Sequence, residues 1–360
     1  MKYLIYCGPG IGDLVIVLPM AKHIKNNDPD AIISLFTCSD KNRIKILEKM
    51  LLYQDFVDNI FYYSKSELFH DALFLLQLGL KSYNYGFKSS YFDTPYISDW
   101  PYRFLKMAVK KMIGVRLKNK PNFKFDIEVP FSEEYSVYDL PNKLVKALGF
   151  RVENTYTSSL LNKEKFFLHT SEFCKLKNTK QNVTLVVGTA NVPVTADGKN
   201  GTKPAKAWPY NYWVKLAGLL GKAGYYVVIV GGKKEKDEIQ AEGCVFKQAN
   251  LSDFCGKCSV IDSIGIICQS SLVIGADTGL MHCAGAVGVP SLTLFGCTGF
   301  RNYLFPSTKA FYITAQKNCS PCFGTDRIHT CNNFECMREI LPEMVFDKAK
   351  RILEGCLDEN

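Results

Sequence analysis

The stretch Leu272-Val-Ile-Gly-Ala-Asp277-Thr278-Gly279-Leu-Met-His282-Cys-Ala-Gly-Ala-Val-Gly-Val-Pro290 decides the reading of the fold. Leu272 to Ile274 reads as a buried strand that runs into Asp-Thr-Gly. A helix of small residues, Gly279 to Val287, follows at once, and Ser291 to Phe295 is the next strand. Free backbone N–H groups and the helix dipole at such a start hold phosphate oxygens well. Ala284, Gly285 and Ala286 let the helix lie close to the sheet. Asp277 cannot favour phosphate, because like charges repel. It accepts hydrogen bonds from hydroxyls or caps the helix. His282 either faces a diphosphate or packs on the sheet.

Working outward, the same alternation fills the second half. Val183 to Val187 and Tyr225 to Val230 read as strands, the latter closed by Gly231-Gly232. Trp213 to Leu220, Lys234 to Ala241, Ser259 to Cys268 and Pro342 to Leu357 read as helices. The first half opens in the same way. Tyr3 to Cys7 is a strand, Gly8-Pro-Gly10-Ile-Gly12-Asp13 a turn, and a buried helix containing Pro19 follows. Ile32 to Phe36 and Ala72 to Leu76 are further strands, and Ile44 to Leu52 is a helix. Strands alternating with helices imply parallel sheets covered on both faces. Two such series, each with its own glycine turn, imply an α/β protein of two facing Rossmann-like domains with a central cleft. The polar run 151–182 separates them. The expected division is an N-terminal domain over 1–170, a C-terminal domain over 171–340 and a closing helix in 341–360.

Composition sets outer limits. With 47% hydrophobic and 22% charged residues among 360, the chain has material for two cores and is not a disordered one. No apolar stretch reaches the ~18 residues of a membrane span, since Asp13, Gln77, Asp277 or His282 interrupts each candidate. The start, one Lys before a short apolar run, is not a signal peptide, so a cytoplasmic location is expected. The net charge is +9. Residues 81–100 read as a loop. Residues 101–124 carry eight basic residues, among them Lys106, Lys110 and Lys111, and no acidic one. The first part of that run has the spacing of a basic amphipathic helix. The charge permits a nucleic-acid partner, but no aromatic-basic stacking pattern accompanies it, so none is expected.

Of 14 cysteines, 12 lie at or after Cys174. In a cytosolic chain they are not a disulfide framework. Cys319, Cys322, Cys331 and Cys336 have spacing that suits a tetrahedral zinc or iron site. With four protein ligands it would be structural. The other readings are buried free thiols or one disulfide. Cys255-Gly-Lys-Cys258 has no partner pair and reads as non-metal.

Two residues outside the opening stretch stand where chemistry is expected. Asp13 places a carboxylate at the carboxyl end of the first strand, the edge where ligands bind in open α/β sheets, or it caps the following helix. The turn is not the dinucleotide fingerprint, whose third glycine falls later. Lys206, in Lys206-Ala-Trp208-Pro209 with Lys199 and Lys203 upstream, suits an anionic ligand or is a solvated loop lysine.

The Gly-Pro-Gly-Ile-Gly-Asp13 start with Pro19, the Lys206-Ala-Trp-Pro segment and the Gly231-Gly-Lys-Lys-Glu235 strand end occur here in order. The Gly275-Ala-Asp-Thr-Gly-Leu-Met-His282 block and Cys319-Ser-Pro-Cys322 follow them. Together they resemble the glycosyltransferase family 9 heptosyltransferases of lipopolysaccharide core assembly. The resemblance is weak over about 55–180 and strong over about 205–340. It implies a GT-B fold whose C-terminal domain binds an ADP-sugar and whose N-terminal domain binds the acceptor. The implied reaction moves L-glycero-D-manno-heptose to a sugar hydroxyl, with inversion and without a catalytic metal. Asp13 matches the catalytic base, and Lys206 the diphosphate lysine. Gly12, Gly232, Glu235, Asp277, Thr278, Gly279 and His282 match donor-binding positions, Glu235 at the ribose. Two departures stand out. A longer loop, with Asp197, Gly198, Asn200 and Gly201, precedes Lys206, and Cys258 replaces a usual Thr. The basic run would meet acceptor phosphates or an anionic membrane surface. The resemblance leaves two alternatives: a protein O-heptosyltransferase acting on Ser or Thr of an autotransporter through a four-cysteine iron finger, or a non-catalytic nucleotide-sugar binder. The oligomeric state stays open.

Overall fold

Tyr3, Leu4 and Ile5 bury completely and make β1 (Lys2–Tyr6) the centre of the first sheet. The protein is described here as a computed structural model over residues 1–38, 41–63, 79, 82–88, 100–115, 124–130, 135–153, 156, 159–176, 181–190, 192–193 and 202–356. The described chain forms two compact units, Met1–Leu160 and Leu161–Asn360.

In the first unit β1 leads into α1 (Ile11–Asn27), then β2 (Ile32–Cys38), α2 (Lys41–Leu51), β3 (Asn59–Tyr63) and β4 (Tyr83–Lys88). α3 (Trp100–Ala108), β5 (Val109–Val115), β6 (Ile127–Val129) and α4 (Asp139–Lys146) complete it. The strands lie parallel in the order β3-β2-β1-β4-β5-β6. The order therefore reverses between β1 and β4, and the Gly8–Asp13 turn leaves β1 beside that switch point, where open α/β sheets bind ligands.

Three expectations change in this unit. Residues 83–88, expected in a loop, form β4, which pairs with β1 and β5. The basic segment is a helix and a strand in direct succession, not one amphipathic helix. Val109, Met112, Ile113 and Val115 bury in the sheet, so strand pairing outweighs their helical spacing. Lys106, Lys110 and Lys111 all remain exposed. The strand expected over Ala72 to Leu76 lies outside the described residues.

α1 continues through Pro19 and buries His23, which is 1% exposed with neither ring nitrogen hydrogen-bonded. Burial pushes its pKa below the usual 6.5, against weaker opposing pulls from Asn142 and Glu153. Below pH 6.5 the unfolded chain takes up a proton that the folded one refuses. Stability from this site is therefore complete above pH 6.5 and falls as the pH drops below it. Denaturant titrations of the wild type and His23→Met should show a difference that shifts in favour of the variant between pH 7.5 and 5.5. A pH-independent difference contradicts this account.

The second unit repeats the plan with α5 (Lys163–His169), β7 (Asn182–Val186), a two-stranded ribbon of β8 (Val192–Pro193) and β9 (Thr202–Lys203), α6 (Tyr210–Lys222) and β10 (Tyr226–Val230). Then come α7 (Lys233–Ala241), β11 (Leu251–Asp253), α8 (Val260–Cys268), β12 (Leu272–Ala276), α9 (Gly279–Ala286) and β13 (Ser291–Phe295). The remaining elements are α10 (Phe300–Tyr303), β14 (Ala310–Thr314), α11 (Arg327–Thr330), α12 (Glu335–Arg338) and α13 (Pro342–Leu353). The parallel order is β11-β10-β7-β12-β13-β14, again with its switch point beside the first strand of the unit. Every residue of β7, β12 and β13 is buried, the mark of a sheet covered on both faces.

Candidate functional site

The carboxyl ends of the neighbouring strands β7, β10 and β12 bring three turns together: Gly188-Thr189, Gly231-Gly232 and Asp277-Thr278. They border a cavity of about 230 Å³ whose wall includes Thr189, Gly232, Glu235, Cys258, Ser263 and Thr278. This is below the ~300–1,000 Å³ of sites that enclose a whole drug-sized ligand, so it takes part of one. Glu235 occupies the third position of α7, where its carboxylate accepts the Gly232 N–H at 2.9 Å. A side chain at Gly188 would place its Cβ 3.2 Å from the Glu235 carboxyl carbon, so glycine leaves that group room.

Beside this cavity in sequence, Asp277 is 4% exposed and paired with Lys206, Nζ to Oδ2, at 2.8 Å. His282 Nε2 lies 3.6 Å from the other carboxylate oxygen. Burial alone would raise the Asp277 pKa. The Lys206 ammonium and His282 outweigh it and hold the carboxyl well below the usual carboxylate range. Lys206 is fixed from both sides. Ala205 sits in an apolar cluster with Cys297, Cys322 and Ile328. Trp208 is buried, meets Trp213 edge-on at 4.7 Å, and donates its indole N–H to the Ile340 carbonyl at 2.8 Å. The rings of Phe323 and Tyr303 lie 5.4 and 6.0 Å from the ammonium. Lys199 and the 194–201 part of the long loop are outside the described residues.

Thr278 is extended and Gly279 opens α9. A Cβ at Gly275 would meet Met281 Sδ at 2.6 Å, which is how this helix lies close on β12. Gly285 makes room for something else, the Phe305 ring, which a Cβ would meet at 2.2 Å.

In the first unit, Asp13 is the third residue of α1 and accepts the Gly10 N–H at 2.7 Å. Gly12 precedes it in the same turn of helix. Asp13 thus caps its own helix, and its carboxylate fills the space where a Gly8 side chain would begin.

The four cysteines lie near enough to act on one another, since, after burial, Cys319 and Cys331 both push up the thiols of Cys322 and Cys336. Among the described residues, no group of three or more His, Cys, Asp or Glu is placed to hold a metal ion. Cys322 packs in the apolar cluster beneath Lys206, and Cys336 in the main core of the unit, its thiol pushed up to about 11 by burial and by its cysteine neighbours. Cys319 is exposed and Cys331 half-buried. Cys322 and Cys336 thus serve as small packing groups.

Val260, Ser263, Leu280 and Cys258 also line the cavity, and sequence reasoning had assigned none of them a role. A signal was present. Ser259 accepts the Asp262 N–H at 3.1 Å in a capping box, which marks a helix start at the same sheet edge.

The sequence model of glycosyltransferase family 9 (heptosyltransferase) matches residues 168–332. Lipooligosaccharide heptosyltransferase 2 of Haemophilus influenzae is 35% identical over 102 residues, 26% of this chain and 28% of that protein. The matched stretch spans less than a third of that relative. Lipooligosaccharide heptosyltransferase 2 of Campylobacter jejuni is 23% identical over 365 residues, 99% of each chain. Among solved structures, Escherichia coli ADP-heptose lps heptosyltransferase II is similar with a TM-score of 0.70 and 19% identity, over 99% of each chain. The last likeness is one of fold, the GT-B class.

Proposed function

We propose that this chain, whose residues 168–332 match the sequence model of glycosyltransferase family 9 (heptosyltransferase), is a member of that family and transfers heptose from ADP-L-glycero-D-manno-heptose to a sugar hydroxyl of the lipopolysaccharide inner core. The observation that carries this reading is the ion pair of half-buried Lys206 with buried Asp277, adjoining in sequence a cavity walled by Gly232, Glu235 and Thr278. An ammonium held in one place by a buried carboxylate still has donors left for diphosphate oxygens, because lysine carries three. Backbone N–H groups at the start of α9 add to them. Glu235 receives the nucleotide ribose, and Gly279 and His282 complete the donor side.

The reaction is a direct displacement with inversion. Asp13 takes the proton of the acceptor hydroxyl as its oxygen bonds to the anomeric carbon. The bond from that carbon to the diphosphate breaks, ADP leaves with the electron pair, and Lys206 with the helix N–H groups stabilises the charge. Exposed Arg103 and Lys106 on α3 and Lys110 and Lys111 on β5 give the first unit a basic surface for acceptor phosphates or anionic lipid. Among the described residues no helix is long and apolar enough to cross a membrane, and we place the work in the cytoplasm, at the membrane surface.

The test is mass spectrometry of products after incubation with ADP-L-glycero-D-manno-heptose and a lipopolysaccharide acceptor that lacks the heptose. One added heptose on the acceptor sugar is expected. Unchanged donor and acceptor, or heptose attached to protein, overturns the reading.

A further inference from the structure

Cys174 and Cys258 stand 84 residues apart in sequence, yet their sulfur atoms lie 2.8 Å apart. Both are free thiols. Cys174 ends a short helical turn, Glu172–Cys174, and has no exposed surface. Cys258 is half-buried and forms part of the cavity wall, just ahead of the cap of α8.

The contact is built rather than incidental. Ser171 donates its N–H to Asp262 at 2.8 Å, and Leu176 donates its N–H to Gln269, also at 2.8 Å. Thr170 lies so close to α8 that a Cβ at Gly265 would collide with its hydroxyl at 1.7 Å. The segment Thr170–Leu176 is therefore pinned to α8 and its C-terminal cap on both sides of Cys174, which holds that residue beside the start of the helix that Cys258 precedes. A disulfide needs its sulfurs at ~2.05 Å. Side-chain rotation covers the small remaining distance.

We propose that Cys174 and Cys258 form an oxidisable dithiol at the wall of the nucleotide cavity, and that a nucleotide bound there shields it from oxidant. With a peroxide as oxidant, the Cys258 sulfur attacks one peroxide oxygen and becomes a sulfenic acid, and the other oxygen leaves as water. Cys174 then attacks that sulfur, the S–S bond forms, and the sulfenic oxygen leaves as a second water. Two thiols are oxidised and one peroxide is reduced. Burial pushes both thiols up, Cys258 the further, so the reaction is slow at neutral pH and accelerates with rising pH. The dithiol itself stands on the contact between the thiols. Only the shielding rests on the function proposed above.

The experiment treats the reduced full chain with hydrogen peroxide, with and without ADP, alkylates the remaining thiols and maps peptides by mass. A peptide pair linking Cys174 to Cys258, lighter by two hydrogens, is expected in the wild type and absent from Cys258→Ser and Cys174→Ala. ADP at ten times its dissociation constant should slow the link about tenfold, since only the empty fraction reacts. Recovery of both cysteines as alkylated thiols after exposed Cys319 and Cys356 have been oxidised overturns the dithiol. A link that forms equally fast with ADP establishes the dithiol and overturns both the shielding and the placement of the nucleotide in this cavity.

Discussion

Replacing Lys206 by methionine is expected to destabilise the second unit by about 3–5 kcal/mol, the cost of leaving a buried charge without its partner. The partner is Asp277, which is 4% exposed and 2.8 Å from the ammonium. Once Lys206 is gone, His282 at 3.6 Å is the remaining opposing group, and burial acts on the carboxylate with little to offset it. The sign with pH follows. In the wild type the Asp277 carboxyl is held below its usual 3.8, so its contribution is complete above that value and lost as the pH falls through the folded one. In the variant the carboxyl protonates more readily, so the deficit against the wild type should narrow as the pH drops toward 3.8. A second variant separates stability from chemistry. Lys206→Met combined with Asp277→Asn removes both charges and should recover most of the lost stability, because neutral replacements of a buried pair are often tolerated. It should not recover transfer, because the diphosphate has lost its ammonium. Denaturant unfolding and product formation, measured on the same preparations, give both answers. Equal stability of Lys206→Met and the wild type contradicts the structural half. Full turnover in the double variant contradicts the catalytic half.

That pair marks where sequence reading stops. Lys206 and Asp277 are 71 residues apart, and each was legible only as a separate candidate. Their meeting depends on β12 lying beside β7 and on the Trp208 anchor, which no local pattern encodes. Elements whose apolar runs end in a glycine or Asp-Thr-Gly turn, such as β10, β12 and α9, are legible almost to the residue, because the signal for burial and the signal for the turn abut. β4 was not. Tyr83-Asn-Tyr-Gly-Phe-Lys88 lacks an aliphatic run, and its Asn and Gly favour turns. It is a strand because β1 and β5 offer it both edges. The cysteines were legible only in part for a related reason. Spacing suggested four ligands around one ion, but spacing does not report that Cys322 and Cys336 are committed to apolar packing. The contact of Cys174 with Cys258 was invisible for the same reason as the ion pair.

If Asp13 is the general base proposed above, Gly8→Ala should lower kcat by about 10²–10⁴-fold, as much as Asp13→Asn is expected to, although it adds a single methyl group. A Cβ at Gly8 would lie 2.5 Å from the Asp13 carboxyl carbon and 2.7 Å from each of its oxygens. No real Cβ tolerates such contacts, so the carboxylate must leave its place and release the Gly10 N–H it now holds at 2.7 Å. The local cost is about 1–3 kcal/mol, as for other overpacked sites, and the unit should still fold. The two substitutions then act on one atom group by different routes. Asp13→Asn keeps the shape and the cap but removes the proposed proton acceptor, whereas Gly8→Ala keeps the carboxylate and moves it. Both should leave ADP binding unchanged, because the donor cavity belongs wholly to the second unit. Gly10→Ala supplies a graded control. Its Cβ would be 2.8 Å from one Asp13 oxygen but 3.7 Å from the carboxyl carbon, so a smaller displacement and a smaller loss of kcat are expected. If Gly8→Ala folds, binds ADP and turns over normally while Asp13→Asn is inactive, the exact position of the carboxylate is not what transfer requires. If Asp13→Asn itself turns over normally, Asp13 is only the helix cap that its hydrogen bond to Gly10 makes it, and the base must be sought elsewhere.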